Sequence, residues 1–187
     1  MTLPNFTELT ITELLATHSA VLDELRHRNV IRSKNNPTGD YAEWLVSTKL
    51  GLTLETNSAK GFDATDSWGL RYQIKGRRVT PENKSTQLGV IRNLDGKDFD
   101  FLVAVVFDEN WQVHYAAKIP YQTVPLLATF RQHVNGHTMH LRPAVFDNPS
   151  VEDISHELRN QSINTDWLPA GLARLLPAGC VRRHSQI

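Results

Sequence analysis

Apolar positions recur at helical spacing near the N-terminus, at strand spacing through the middle of the chain, and at helical spacing again near residue 150. Ile11, Leu14, Leu15, Val21, Leu22 and Leu25 form one stripe against a polar face, and Thr10 with Glu13 three residues later makes a capping box at its start. The spacing predicts a helix over 10–28. Asn35-Asn36-Pro37-Thr38-Gly39 breaks the chain, and a second helix is expected over 40–50, with Gly51 placed to end it. A short strand is expected over 52–55. Strands over 61–65 and 70–77 flank the turn-like Asp66-Ser67-Trp68-Gly69. Residues 99–107 are nearly all apolar and rich in β-branched and aromatic types, as in a central strand buried on both faces. In 111–119, Trp111, Val113, Tyr115 and Ala117 alternate with Gln112, His114, Ala116 and Lys118. Pro120 opens an expected short helix to Arg131, Asn135-Gly136 leads into a strand over 137–141, and helical signals return over 150–159. The tail beyond Asn160, with Pro169, Gly171, Pro177 and Gly179, yields no definite element.

Helices, then a block of strands, then helices predict a single α+β domain over 1–187: an α/β sandwich with a central mixed sheet flanked by helices. The N-terminal helix (10–28) and a helical or irregular extension (150–187) lie outside its core. Composition agrees. With 40% hydrophobic and 21% charged residues, a wholly disordered, collagen-like or coiled-coil chain is excluded. The longest apolar run, 101–107, is far short of the ~20 residues that span a bilayer, so no membrane partner is expected. The first six residues lack the basic start and apolar stretch of a signal peptide. The one cysteine, Cys180, has no internal partner for a disulfide. A reducing cytoplasm is the expected compartment.

Charge changes the picture locally. The chain carries 20 Lys and Arg against 20 Asp and Glu, which gives no global argument for a polyanion. Within 60–92, however, seven basic residues face only Asp63, Asp66 and Glu82. A zone of this kind steers a phosphate backbone to one face, or is simply a solvated surface.

The candidate chemistry lies in the same stretch. Along a strand over 70–77, Arg71, Gln73, Lys75 and Arg77 share one face, and Tyr72, Ile74 and Gly76 share the other. A hairpin centred on Trp68 sets Asp63 opposite Gln73 and Lys75 one alternation further on. A carboxylate, an amide oxygen and an ammonium then converge. Mg²⁺ takes oxygen ligands, commonly one or two protein carboxylates, and keeps several waters. Asp63 and Gln73 would supply oxygens to it, and the ion would acidify an attacking water. Lys75 would hold or deprotonate that water, or stabilise charge on the phosphorane. The same three residues also fit an ordinary polar sheet surface.

Asp63 followed by Gln73-Ile74-Lys75 on the next strand resembles the PD-(D/E)XK nuclease superfamily, the restriction-endonuclease-like fold. The resemblance covers about 39–119. Gly39-Asp40-Tyr41-Ala42-Glu43-Trp44-Leu45-Val46 is similar to the helix that precedes the strands in that family, with Glu43 at its acidic position. Phe62 stands where the family has Pro. Gln73 replaces the usual Glu and resembles the Gln-x-Lys branch that includes methylated-DNA restriction enzymes. The resemblance implies a restriction-endonuclease-like core and a nuclease that hydrolyses phosphodiester bonds of DNA, in restriction or repair. Asp63, Glu43 and Gln73 would hold Mg²⁺ or Mn²⁺, and Lys75 would be the base or phosphate stabiliser. It also implies DNA as partner and a homodimer, because cutting two strands takes two sites. The alternative is a catalytically inactive nuclease-like module that binds DNA or protein, since Gln73 adds no charge at the metal.

Other residues are weaker candidates. Glu43 also fits a capping box with Asp40. Asp66 suits a turn better than a ligand. Arg77, Arg78, Lys84 and Arg92 are candidates for the phosphate backbone, and Ser85, Thr86 and Gln87 for the same groove. Trp68 suits base stacking at a hairpin tip, and Trp111 suits packing. His133, His137 and His140 have spacing superficially like zinc ligands, but Gly136 and a change from helix to strand break their shared face.

Overall fold

The computed structural model describes residues 5–55 and 61–159. A sheet of six strands runs through it. Helix α1 (Ile11–His27) and helix α2 (Thr38–Leu50) precede strands β1 (Thr53–Leu54), β2 (Ala64–Thr65), β3 (Arg71–Arg78), β4 (Phe101–Phe107) and β5 (Val113–Pro120). Then come α3 (Val124–Leu127), a small hairpin of β6 (Thr129–Arg131) and β7 (Gly136–Thr138), strand β8 (Glu152–Asp153) and α4 (Ser155–Arg159). The sheet order is β1-β2-β3-β4-β5-β8. Only β3 and β4 are parallel; every other pairing is antiparallel. The fold is thus α+β with a mostly antiparallel central sheet.

Strand β4 is the axis of the core. Its residues 102–107 have no exposed surface at all, as expected of a strand covered on both sides. Val103, Val105 and Phe107 pack with Tyr72 and Ile74 of β3 and with Ala42, Leu45 and Val46 of α2. Leu102, Ala104 and Val106 face the other way, onto Leu88, Ile91, Met139 and Leu141. Parallel strands need a long crossover, commonly a helix. Here residues 79–100 make it largely without one, and their backbone is satisfied by the 137–141 segment instead. The Ile91 and His137 backbones exchange bonds of 2.8 Å each way, and the Leu88 N–H donates to the Met139 carbonyl at 2.9 Å.

Several element boundaries differ from the sequence expectation. The helix opened by Pro120 ends at Leu127, and 129–131 is a strand, because these residues pair with 136–138. The helix expected from Ser150 begins only at Ser155. Glu152 and Asp153 join the sheet beside Lys118 and Ala117, and the Asp153 carboxylate then accepts the Ser155 N–H at 2.8 Å. Most of the extension over 150–187, including Cys180, lies outside the described residues. The α1 capping box is present: the Thr10 hydroxyl accepts the Glu13 N–H at 3.3 Å, and the Glu13 carboxylate accepts the Thr10 N–H at 2.8 Å. Among the described residues no helix is long and apolar enough to cross a membrane.

Candidate active site

Strands β2 and β3 pair Ala64 with Tyr72 and Thr65 with Arg71, the register of a hairpin centred on Trp68. Asp66 builds the turn. One of its oxygens accepts the N–H groups of Trp68 and Leu70, each at 2.9 Å, and the other accepts the Tyr72 hydroxyl at 3.2 Å. Burial and the neighbouring Asp66 carboxylate push the Tyr72 phenol up to about 12. Asp66 is therefore committed to the turn.

The hairpin ladder gives out at Asp63. Its N–H donates to the Tyr72 carbonyl at 2.8 Å, one residue out of step with the ladder. Its carboxylate accepts the Ile74 N–H at 2.6 Å. The side chain thus takes a donor that an extended β2 would have bonded through its main chain. This fixes Asp63 against the edge of β3, level with the residue between Gln73 and Lys75.

Gln73 is as buried as the core around it, with 7% of its surface exposed. Its amide Nε2 donates to the Gly61 carbonyl at 3.2 Å. That bond decides which way the amide points, since the reverse orientation sets oxygen against oxygen. The Oε1 atom is left buried without any hydrogen-bond partner. Gly61 itself leaves no room for a side chain: it has φ +87°, and a Cβ there would lie 2.2 Å from the Asp98 Cβ. The same carbonyl also gives a reason for Gln rather than Glu at this position, because a carboxylate would meet it with no proton to share. Lys75, two residues on, is half-buried on the same face of β3, with its aliphatic stem beside Gly89. Among the described residues Lys75 makes no ion pair.

Glu43 comes from α2, which covers the Tyr72 and Ile74 face. Gln73 and Lys75 stand on the other face. The expectation that Glu43 shares one metal site with Asp63 and Gln73 is thus corrected in its geometry: Glu43 lies on the α2 side, near enough for the Asp63 charge to act on it, and Asp63 at the strand edge links the two sides. Burial raises the Glu43 pKa, and the Asp63 charge raises it further, against the opposing pull of Arg32. Arg32 forms an ion pair with Glu43 and also donates to the Glu55 carbonyl at 2.7 Å. The capping-box role for Glu43 is absent. Asp40 instead turns back to the preceding loop, where its carboxylate accepts the N–H groups of Arg32 and Ser33 at 2.9 and 2.7 Å. Burial works against ionising Asp40, but those two donors hold its pKa below the usual value. No spacing in the sequence signals Arg32, because its partners lie 11 and 23 residues away.

The basic candidates part company. Arg77 and Arg78 are consecutive, so they face opposite ways. The Arg77 Nε donates to the Ser85 carbonyl at 2.9 Å. Arg78 lies over the Trp111 ring, 4.7 Å from its centroid, and donates to the Glu109 carbonyl at 2.7 Å. Trp111 packs on Tyr41 and Phe107, while Trp68 at the hairpin tip is 87% exposed. Lys84 and Arg92 are both exposed. Thr86 and Gln87 pair through their backbones with Leu141 and His140.

Taken together, the site offers two mutually repelling carboxylates and an amide oxygen that lacks a donor. No group of three or more His, Cys, Asp or Glu among the described residues is placed to hold a metal. The set here is smaller in charge and all oxygen, which suits a hard cation that keeps part of its hydration shell. The orphaned Oε1 of Gln73 and the raised pKa of Glu43 are both features that a cation would relieve. At Glu43 such a cation would compete with the Arg32 guanidinium. No family model matches the chain. No curated protein matches it significantly.

Proposed function

We propose that the chain is a metal-dependent nuclease of restriction-endonuclease-like fold, which hydrolyses phosphodiester bonds of DNA with Mg²⁺ or Mn²⁺. The carrying observation is the buried, unpartnered Oε1 of Gln73 on the strand edge that also holds the Asp63 carboxylate. The antiparallel β1-β2-β3 segment followed by a parallel β4, with α2 on one face, is compatible with such a core. When bound, a divalent cation supplies Lewis-acid stabilisation of the phosphate and lowers the pKa of a nearby water. Glu43 from the α2 side, Asp63 at the strand edge and Gln73 from the Lys75 side would hold it through oxygen. Lys75, a pure donor with no ion-pair partner among the described residues, orients the attacking water or donates to the phosphoryl oxygens as negative charge builds on them.

A second reading has one observation in its favour. The Arg32–Glu43 ion pair satisfies one of the two carboxylates without any metal. A nuclease-like module that binds DNA or protein without cutting would look this way. Cleavage separates the two. With Mg²⁺ or Mn²⁺ the wild-type protein should cut DNA, and Asp63→Ala and Lys75→Ala should each lower the rate by roughly 10²–10⁴-fold while unfolding normally. Cutting at the wild-type rate in both variants would place the activity elsewhere.

A further inference from the structure

A second basic surface lies on the Gln73–Lys75 side of the sheet and was not marked out by the sequence. Strands β6 and β7 and the 138–145 segment enclose an open cleft of about 320 Å³, lined among others by Thr129, Arg131, Thr138, His140 and Arg142. No acidic side chain lines it. Arg131 and Arg142 are exposed, and among the described residues neither makes an ion pair. The two guanidiniums and the imidazole come together because Thr129 and Arg131 share one face of β6, while His140 and Arg142 share the next stretch of chain. Arg77 faces the same group: burial, and then the charges of Arg142, Arg131 and Arg77, lower the His140 pKa. Three guanidiniums thus bear on one imidazole with no carboxylate to offset them, so the cleft favours an anion.

A chain of contacts links the cleft to the candidate active site. Lys75 and Arg77 are alternate residues on one face of β3, roughly 6.6 Å apart along the strand. Arg77 bonds to Ser85, and Gln87 pairs with His140. Phe130, between Thr129 and Arg131 on β6, is on the strand's other face, where it is 54% exposed and stacks edge-on against His137, with ring centroids 5.3 Å apart. A row of cations from Arg131 and Arg142 through Arg77 to Lys75 suits the repeated charges of a nucleic-acid backbone better than a lone small anion.

We infer that the cleft of Arg131, His140 and Arg142 binds the phosphate backbone of the DNA strand whose scissile phosphate lies at Lys75. This rests on the nuclease reading for the role of Lys75 but is tested without cleavage. Binding of a fluorescein-labelled 20-nucleotide DNA, single-stranded and as duplex, is followed by anisotropy in EDTA across a salt series. The Arg131→Gln, Arg142→Gln double variant should bind about 10-fold more weakly, and its slope of log K against log salt should fall by about 1.4–1.8, as for two lost phosphate contacts. Arg26→Gln with Arg28→Gln at the C-terminal end of α1, which removes the same charge, should leave both unchanged. Thr129→Arg, which adds a cation to the cleft, should tighten binding. The inference fails if the wild type binds neither probe, if the cleft variant binds like the wild type, or if the α1 variant weakens equally. Asp63→Ala should still bind DNA. If the cleft result holds while no form of the protein cuts DNA, only the nuclease reading falls.

Discussion

On one face of β3, Tyr72, Ile74 and Gly76 meet α2; on the other, Gln73 bonds to Gly61, while Lys75 and Arg77 meet Gly89 and Ser85. Burial hardly distinguishes the two, since Tyr72 is 5% exposed and Gln73 is 7% exposed. Satisfaction does distinguish them. The Tyr72 hydroxyl has the Asp66 carboxylate, whereas Oε1 of Gln73 has nothing. A buried acceptor without a donor costs about 1–3 kcal/mol. An apolar residue would avoid that cost and fill the space as well. The first face is built for stability, and the second carries a cost that a cation would remove.

The contrast is sharpest in stability. On the α2 face, Ile74→Ala deletes a side chain that is 4% exposed and should cost about 2–5 kcal/mol in urea unfolding. Gly76→Ala is next. Its Cβ would lie 2.7 Å from the Ala42 Cβ and 2.8 Å from the Thr38 carbonyl oxygen, and prying α2 off the sheet should cost about 1–3 kcal/mol. A Gly76→Ala variant as stable as the wild type would mean that α2 is not seated on β3 as described.

Much of this was legible in the chain and some was not. The alternation in 71–77 assigns the faces of β3, and the turn chemistry at 66–69 sets the hairpin register. Both are local. The face that Glu43 comes from was not legible, because it depends on which side of the sheet α2 packs, a tertiary choice. The same holds for the cleft of Arg131, His140 and Arg142. Residues 129–131 read as the end of a helix until their pairing with 136–138 is known, and only that pairing aims Arg131 at the same space as Arg142. Gly61 looked like an ordinary strand start. Its carbonyl explains Gln73, but a backbone acceptor leaves no mark on the residue that supplies it.

A smaller effect concerns Glu43, on the α2 face. Its folded-state pKa is raised by burial and by Asp63. A group of this kind stabilises the fold below its unfolded pKa of about 4.3 and loses that stabilisation as pH rises through the folded value. Glu43→Gln cannot ionise. Compared with the wild type, the variant should therefore gain in relative stability between acid and neutral pH, as read from urea midpoints. A difference independent of pH would mean that Arg32 fully neutralises the carboxylate.

The central claim is that the unpartnered oxygen of Gln73 belongs to a cation site formed with Asp63 and Glu43. The most direct measurement is a calorimetric Mn²⁺ titration of the wild type and of Gln73→Leu. The substitution removes the orphaned acceptor, worth about 1–3 kcal/mol, at the cost of the amide's bond to Gly61, worth about 1 kcal/mol, so the variant should be at least as stable as the wild type. The account predicts binding to the wild type at one site per chain and at least a 10-fold loss in the folded variant. No binding to the wild type, or equal binding by both proteins, would contradict it.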